Sequence, residues 1–111
     1  MAEDDIFVRR LFERFRTIDW NEDKAASNRR KHGIDFDDAI EIFYAPCLLR
    51  RSDRDTEERW LAIGESEGRT IAVAFTWRGD TLRIISARHA RKNERRAYHQ
   101  KKVGRASEGQ D

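Results

Sequence analysis

The chain has 111 residues, 40% of them charged and 38% hydrophobic, with a net charge of +2 at neutral pH. That length suits one domain burying roughly two-thirds of its unfolded surface, and charge of both signs interleaved with aromatics argues against disorder. Cys47 is the sole cysteine, which excludes an intramolecular disulfide, and no apolar run nears the roughly 18 residues of a membrane span.

The opening "MAEDDIFVRR" is acidic and lacks a signal-peptide core, so a soluble, cytoplasmic protein in a reducing compartment is expected. Residues 6–16 place Ile6, Phe7, Leu11, Phe12 and Phe15 near helical spacing, which predicts a short amphipathic helix; an edge strand near 15–20 is the alternative. The next helix starts at Asn21 as N-cap, carries Glu22 and Asp23 in its first turn, and ends with Lys31 and His32 before a left-handed cap at Gly33. A second helix follows, capped by Asp35, with Phe36, Ile40 and Phe43 as its apolar stripe and Pro46 as its stop.

From there the period changes to two. "CLLRRSD", "RWLAIGES", "TIAVAFTW" and "LRIISAR" predict four antiparallel strands, joined by the turns "RDTEE", "SEGR" and "RGDT". Residues 90–103 predict a closing helix, and "GRASEGQD" a frayed tail. The expected fold is α+β: two N-terminal helices, a four-stranded antiparallel sheet and a basic C-terminal helix.

Charge is unevenly placed. Residues 88–105 hold eight cations and one acid, Glu94, whereas residues 1–87 hold 15 cations against 18 acids. A basic end suits a polyanion or an acidic protein partner. A two-residue turn at Gly79-Asp80 would set Trp77 opposite Leu82, Phe75 opposite Ile84 and Val73 opposite Ser86 on an apolar face. The other face would carry Arg78, Thr76 opposite Arg83, Ala74 opposite Ile85 and Ala72 opposite Ala87. A one-residue slip would bury the arginines, so the register is well specified. That small, cationic face predicts a groove floor, with Arg88, Arg91 or Lys92, Arg95 and Lys102 along the last helix as its wall. Arginine forks bind phosphate oxygens, and Tyr98 beside that stripe could stack on a base.

Three stretches in order, the "KHGIDF" helix junction, the "AIG" strand and the "RIISAR…ERRAY" terminus, resemble the BrnT family of bacterial toxins over residues 19–98. The resemblance implies a RelE-like fold and a ribonuclease that arrests translation. It also implies a BrnA-like ribbon-helix-helix antitoxin, a heterotetramer with two toxins, and DNA contact only through that antitoxin. The core would span residues 15–103 of a single domain 1–111, with 1–14 an N-terminal extension and 104–111 a flexible tail. The matching motif positions are Lys31, His32, Arg59, Arg78, Arg83, Arg88, Glu94, Arg95 and Tyr98. Thr56 stands where the family often has glycine before the glutamate at Glu57, so that loop differs.

A metal-independent ribonuclease needs a base for the ribose 2′-OH, cations for the transition state, and an acid for the departing 5′-oxygen. Arg78 and Arg83 suit the second role, with Arg88 nominated by its place in the motif although strict alternation points it at the core. Arg59, Arg91, Lys92 and Arg95 are expected to bind substrate. For acid and base the candidates are His32, because histidine changes charge near neutrality, together with Lys31, Glu94 and Tyr98. Each has a plain alternative: a helix-end cation, an internal ion-pair partner, a packed ring. His89 and His99 are expected at the surface. The carboxylates Asp53, Asp55, Glu57 and Glu58 alternate with arginines, which favours a solvated turn over a magnesium site; no metal and no cofactor are expected. A non-catalytic module binding RNA or an acidic partner through the same face is the competing function.

Overall fold

A computed structural model describes residues 5–108, with side chains through Gly104. Six strands form one mixed sheet in the order β1-β3-β4-β5-β6-β2. They are β1 Ile6–Val8, β2 Thr17–Trp20, β3 Cys47–Arg51, β4 Trp60–Ser66, β5 Arg69–Arg78 and β6 Thr81–His89. All neighbours are antiparallel except β2, which runs parallel to β6. Three α-helices accompany the sheet among the described residues: α1 Glu22–His32, α2 Phe36–Ala39 and α3 Lys92–Glu108.

The expected RelE-like arrangement, with two N-terminal helices and a four-stranded antiparallel sheet, is therefore replaced by a six-stranded mixed sheet; α+β is what remains. The main error lies in residues 6–16. Their apolar residues recur at helical spacing but belong to opposite faces of the sheet. Phe7 joins Leu48, Ile63 and Tyr98 on one side, while Leu11 and Phe15 pack with Phe43 and Leu82 on the other. One helical stripe cannot serve both, so the segment forms β1, a single 3₁₀ turn at Leu11–Arg14 and then β2. The weighed alternative, an edge strand near 15–20, is what forms. Residues 1–4 of the proposed extension and 109–111 of the proposed tail lie outside the described residues. The backbone of α3 continues to Glu108, past the expected end at 103.

Helix α1 follows its sequence signals. Asn21 Oδ1 accepts from the Lys24 N–H at 3.0 Å, and Gly33, at a φ of 70°, donates to the Arg29 carbonyl. Helix α2 is shorter than expected: one α turn, then a 3₁₀ segment over Ile40–Tyr44. Its tighter winding buries Phe36, Ala39, Ile42 and Phe43, so the buried stripe runs at steps of three and leaves Ile40 only half-buried. Gly64 on β4 permits this packing, because a Cβ there would lie 3.0 Å from the Ile42 Cβ.

Helices α1 and α2 cover one sheet face and α3 the other. The hairpin keeps its predicted pairs near the turn, Trp77 with Leu82, Phe75 with Ile84 and Thr76 with Arg83. Further along, a bulge shifts the register, so Ala74 meets Ser86, Val73 meets Ala87 and Ala72 meets Arg88. Ile85 is the extra residue. Past the end of β2, the open edge of β6 is satisfied by a side chain. The buried Asn28 amide donates to the Ala87 carbonyl at 2.8 Å and accepts from the Ala87 N–H at 3.0 Å, standing in for a neighbouring strand. It also donates to the Ile34 carbonyl at 3.1 Å.

Asn28→Ala leaves those buried backbone groups without partners, at about 1–3 kcal/mol for each group that finds no substitute. The expected result is a urea midpoint lowered by the equivalent of about 2–4 kcal/mol in total. A loss below about 0.5 kcal/mol, the range of an ordinary surface change, would show that the bracket is not needed.

Candidate functional site

The sheet face opposite α1 carries the hairpin's cations. Alternation from Trp60, which packs with the core on the α1 side, puts Arg59 and Glu57 on this opposite face. Thr76 pairs with Arg83, and Arg83 with Asp19 on β2. The Thr76 hydroxyl donates to the Glu58 carbonyl at 2.7 Å, tying the chain before β4 to β5. These strands and the first turn of α1 enclose a shallow pocket of about 120 Å³, lined by Asn21, Lys24, Glu57, Arg59, Thr76, Arg78 and Arg83 together with Ile84 and Ile85.

Four cations and one carboxylate line this pocket, and the positive end of α1 lies beside it. Arg83 is held by Asp19, Nη1 to Oδ1, at 3.1 Å. The Arg59 Nε donates to Glu57 Oε1. Arg78 and Lys24 carry no side-chain ion pair among the described residues. The pocket is therefore lined mainly by cations, two of them arginines oriented by carboxylates and two, Arg78 and Lys24, without such a pair among the described residues.

Other nominated residues gather elsewhere, at the base of α3. Because of the bulge, Arg88 points to the α3 side and not to the core as strict alternation required. Its Nη1 and Nη2 fork onto the two carboxylate oxygens of Glu94 at 2.8 and 2.9 Å. Glu94, only 4% exposed, also accepts the Arg91 N–H at 2.8 Å. Arg88 lies five residues beyond Arg83, roughly 16 Å along the strand. Tyr98 is 3% exposed, packs on Phe7 and donates to Glu65 Oε1 at 3.2 Å. Burial, helped by the Glu65 carboxylate, pushes its phenol up to about 12. Lys102 reaches the same Glu65 at 2.8 Å, and Arg95 donates to the Ala90 carbonyl. Lys92 is exposed on the first turn, and Arg91 presents its backbone to Glu94.

Lys31 and His32 occupy the last turn of α1, and the pocket meets its first. Eight residues separate Lys24 from His32, about 12 Å along the axis, and neither Lys31 nor His32 lines the pocket. The carboxylates of the 53–58 turn are mostly taken by arginines: Asp53 by Arg51, Glu58 by Arg51 and Glu57 by Arg59. Among the described residues no three His, Cys, Asp or Glu side chains group as metal ligands. Lys24 and Glu57 line the pocket without being among the residues that the sequence nominates for it. The signal for Glu57 was its two-residue step from Arg59, carried past the end of the strand.

The chain matches, over residues 20–94, the family described as the ribonuclease toxin BrnT of type II toxin–antitoxin systems. No individually curated protein matches it significantly. No helix among the described residues is long and apolar enough to cross a membrane.

The clamp at the base of α3 makes a pH prediction. Burial drives the Glu94 carboxyl up, but the Arg88 fork, the Arg91 N–H and both arginine charges overcome this and hold it below the usual range. A depressed folded value means the stabilisation is complete above the unfolded value of about 4.3 and is lost as pH falls through the folded one. Glu94→Gln should therefore cost about 1–3 kcal/mol at neutral pH, and its deficit in urea midpoint should shrink on acidification. A deficit that does not change with pH would exclude this clamp.

Proposed function

This chain belongs to the BrnT family of ribonuclease toxins of type II toxin–antitoxin systems, and we propose that it cleaves RNA at the arginine pocket, without a metal ion, by attack of the ribose 2′-oxygen. RNA substrate and a protein antitoxin follow from the family. The assignment of the pocket rests on one observation: Arg59, Arg78 and Arg83 come from three different segments and line one cavity. At about 120 Å³ it is well below the roughly 300 Å³ at which pockets for drug-sized ligands begin. It fits a single phosphodiester with the bases left outside.

In that pose the guanidinium forks of Arg78 and Arg83 neutralise the charge that builds on the non-bridging oxygens, and Arg59 and Lys24 close the other side. The product ends are a 2′,3′-cyclic phosphate and a 5′-hydroxyl, and the cuts arrest translation. Arg88, Glu94 and Tyr98 act in this reading by fixing α3 on the sheet. The exposed Lys92, Arg96 and Lys101 guide the backbone in a salt-dependent way. The antitoxin is taken to be BrnA-like, with a ribbon-helix-helix dimer holding two toxin copies and contacting DNA itself. One observation favours a binding module without chemistry: none of the proposed bases, His32, Glu94 or Tyr98, lines the pocket.

Purified protein should leave 5′-hydroxyl ends on free RNA cut in EDTA or, where the ribosome is required, on ribosome-bound RNA in the magnesium that ribosomes need. Arg83→Ala, still folded, should cut about 10²–10³-fold more slowly. Loss of cleavage in EDTA would overturn the metal-free reading, and binding without cleavage in both settings would leave the module. The complex co-purified with the antitoxin should have the mass of two toxins and two antitoxins; a strict one-to-one complex would remove the dimeric partner.

A further inference from the structure

Resting on that pocket, we propose that Glu57 is the general base of the reaction. The sequence assigns this residue to a charged turn, and the structure sets it, still exposed, at the rim of the pocket. Between β3 and β4 the chain forms a tight extension of the hairpin: Ser52 N–H donates to the Arg59 carbonyl at 2.9 Å, and Arg54 and Glu57 exchange backbone hydrogen bonds at 3.0 and 2.8 Å. Asp55, with a φ of 53°, makes the tip. Asp53 accepts the Arg59 N–H at 3.1 Å, and the Thr76 hydroxyl latches the Glu58 carbonyl. The loop is therefore fixed against β5, and a two-residue step from Arg59 delivers the Glu57 carboxylate to the pocket.

Among the described residues it is the one carboxylate lining the pocket. Asp19, the nearest competitor in the register, is bound to Arg83 from the β2 side. Glu22 is bound to the Trp20 indole N–H at 2.9 Å. Glu57 uses Oε1 for the Arg59 Nε, and no other hydrogen bond engages its side chain among the described residues. The second oxygen, Oε2, can therefore accept a proton. Placed among cations that hold the phosphate, it meets the ribose 2′-OH on the attacking side. The 2′-OH proton passes to Glu57, O2′ forms a bond to phosphorus, and the bond from phosphorus to O5′ breaks. O5′ leaves with a proton from solvent, and Glu57 returns its own to solvent. The same contact orients Arg59, so base and cation are set by one hydrogen bond.

The test uses an RNA on which the wild type acts, free or ribosome-bound, at single turnover. Glu57→Gln keeps an acceptor for Arg59 and removes the base; kcat should fall about 10²–10⁴-fold with KM within about threefold of wild type. Glu57→Ala should recover part of its rate as formate is added, because a free carboxylate can take the vacant place. Glu58→Gln, on the other side of the chain beside Arg51, is the control and should cleave as wild type. A Glu57→Gln enzyme with kcat within about threefold of wild type overturns the proposal. So does a loss confined to KM with no response to formate, which would make Glu57 only a holder of Arg59. If Arg83→Ala is also active, the pocket itself is wrong; if Arg83→Ala is dead and Glu57→Gln is active, only Glu57 is.

Discussion

One extra residue in β6 decides what the two sheet faces can do. With Ile85 bulged, Ala87 turns to the α1 side, where the Asn28 amide brackets its backbone, and Arg88 turns to the opposite side. There Arg88 meets Glu94 and anchors the first turn of α3. Without the bulge Arg88 would be driven into the apolar core, and α3 would lose the buried partner that orients it. Bulges commonly re-aim side chains beside functional sites, and this one separates the chain's arginines into two groups. Arg78 and Arg83, before it, face the pocket. Arg88, after it, holds the helix.

That division changes the meaning of the basic C-terminal segment. Its cations are not a uniform wall. Several are answered at short range: Arg88 by Glu94, Lys102 by Glu65 and Arg95 by the Ala90 carbonyl. Each of these contacts joins α3 to the sheet or to the turn before it, so these charges go to fixing α3 in place. Lys92, Arg96 and Lys101 point outward and stay exposed. In the pocket the logic is reversed. Each pre-set guanidinium is oriented by a carboxylate that leaves its other donors available, which is the preorganisation that charge stabilisation in a transition state requires.

Much of this was written in local signals. Asn21, Gly33 and the Gly79-Asp80 turn each carry a conformational demand that few other residues meet, so α1 and the hairpin could be read directly, together with the meeting of Thr76 and Arg83. The bulge could not: no glycine or proline marks it, and Ile85 fits a strand as well as its neighbours do. Residues 6–16 misled because helical spacing was produced by two cores lying on opposite sides of a sheet. Glu57 was hidden for another reason. The "SDRDTEE" stretch is a solvated turn by composition, and only the backbone pairing that continues past β4 keeps the alternation running into it.

The segment before the family match matters for the same geometry. The match begins at residue 20, yet both cores use earlier residues. Leu11 is buried with Phe43 on the α1 side, and Phe7 supports Tyr98 on the α3 side. Asp5, its side chain 2% exposed, forks onto Arg50 with two hydrogen bonds of 2.9 Å. Arg50 lies on the α3 face within the field of Glu94, so without Asp5 it would be a partly buried cation competing with Arg88 for Glu94. Asp5, just ahead of β1, thus answers Arg50 and leaves Glu94 to Arg88, and β2 brings Asp19 to Arg83. The two edges of the sheet, one beginning in the segment expected to be an extension and one weighed only as an alternative, set the electrostatics of the helix anchor at one side and of the pocket at the other.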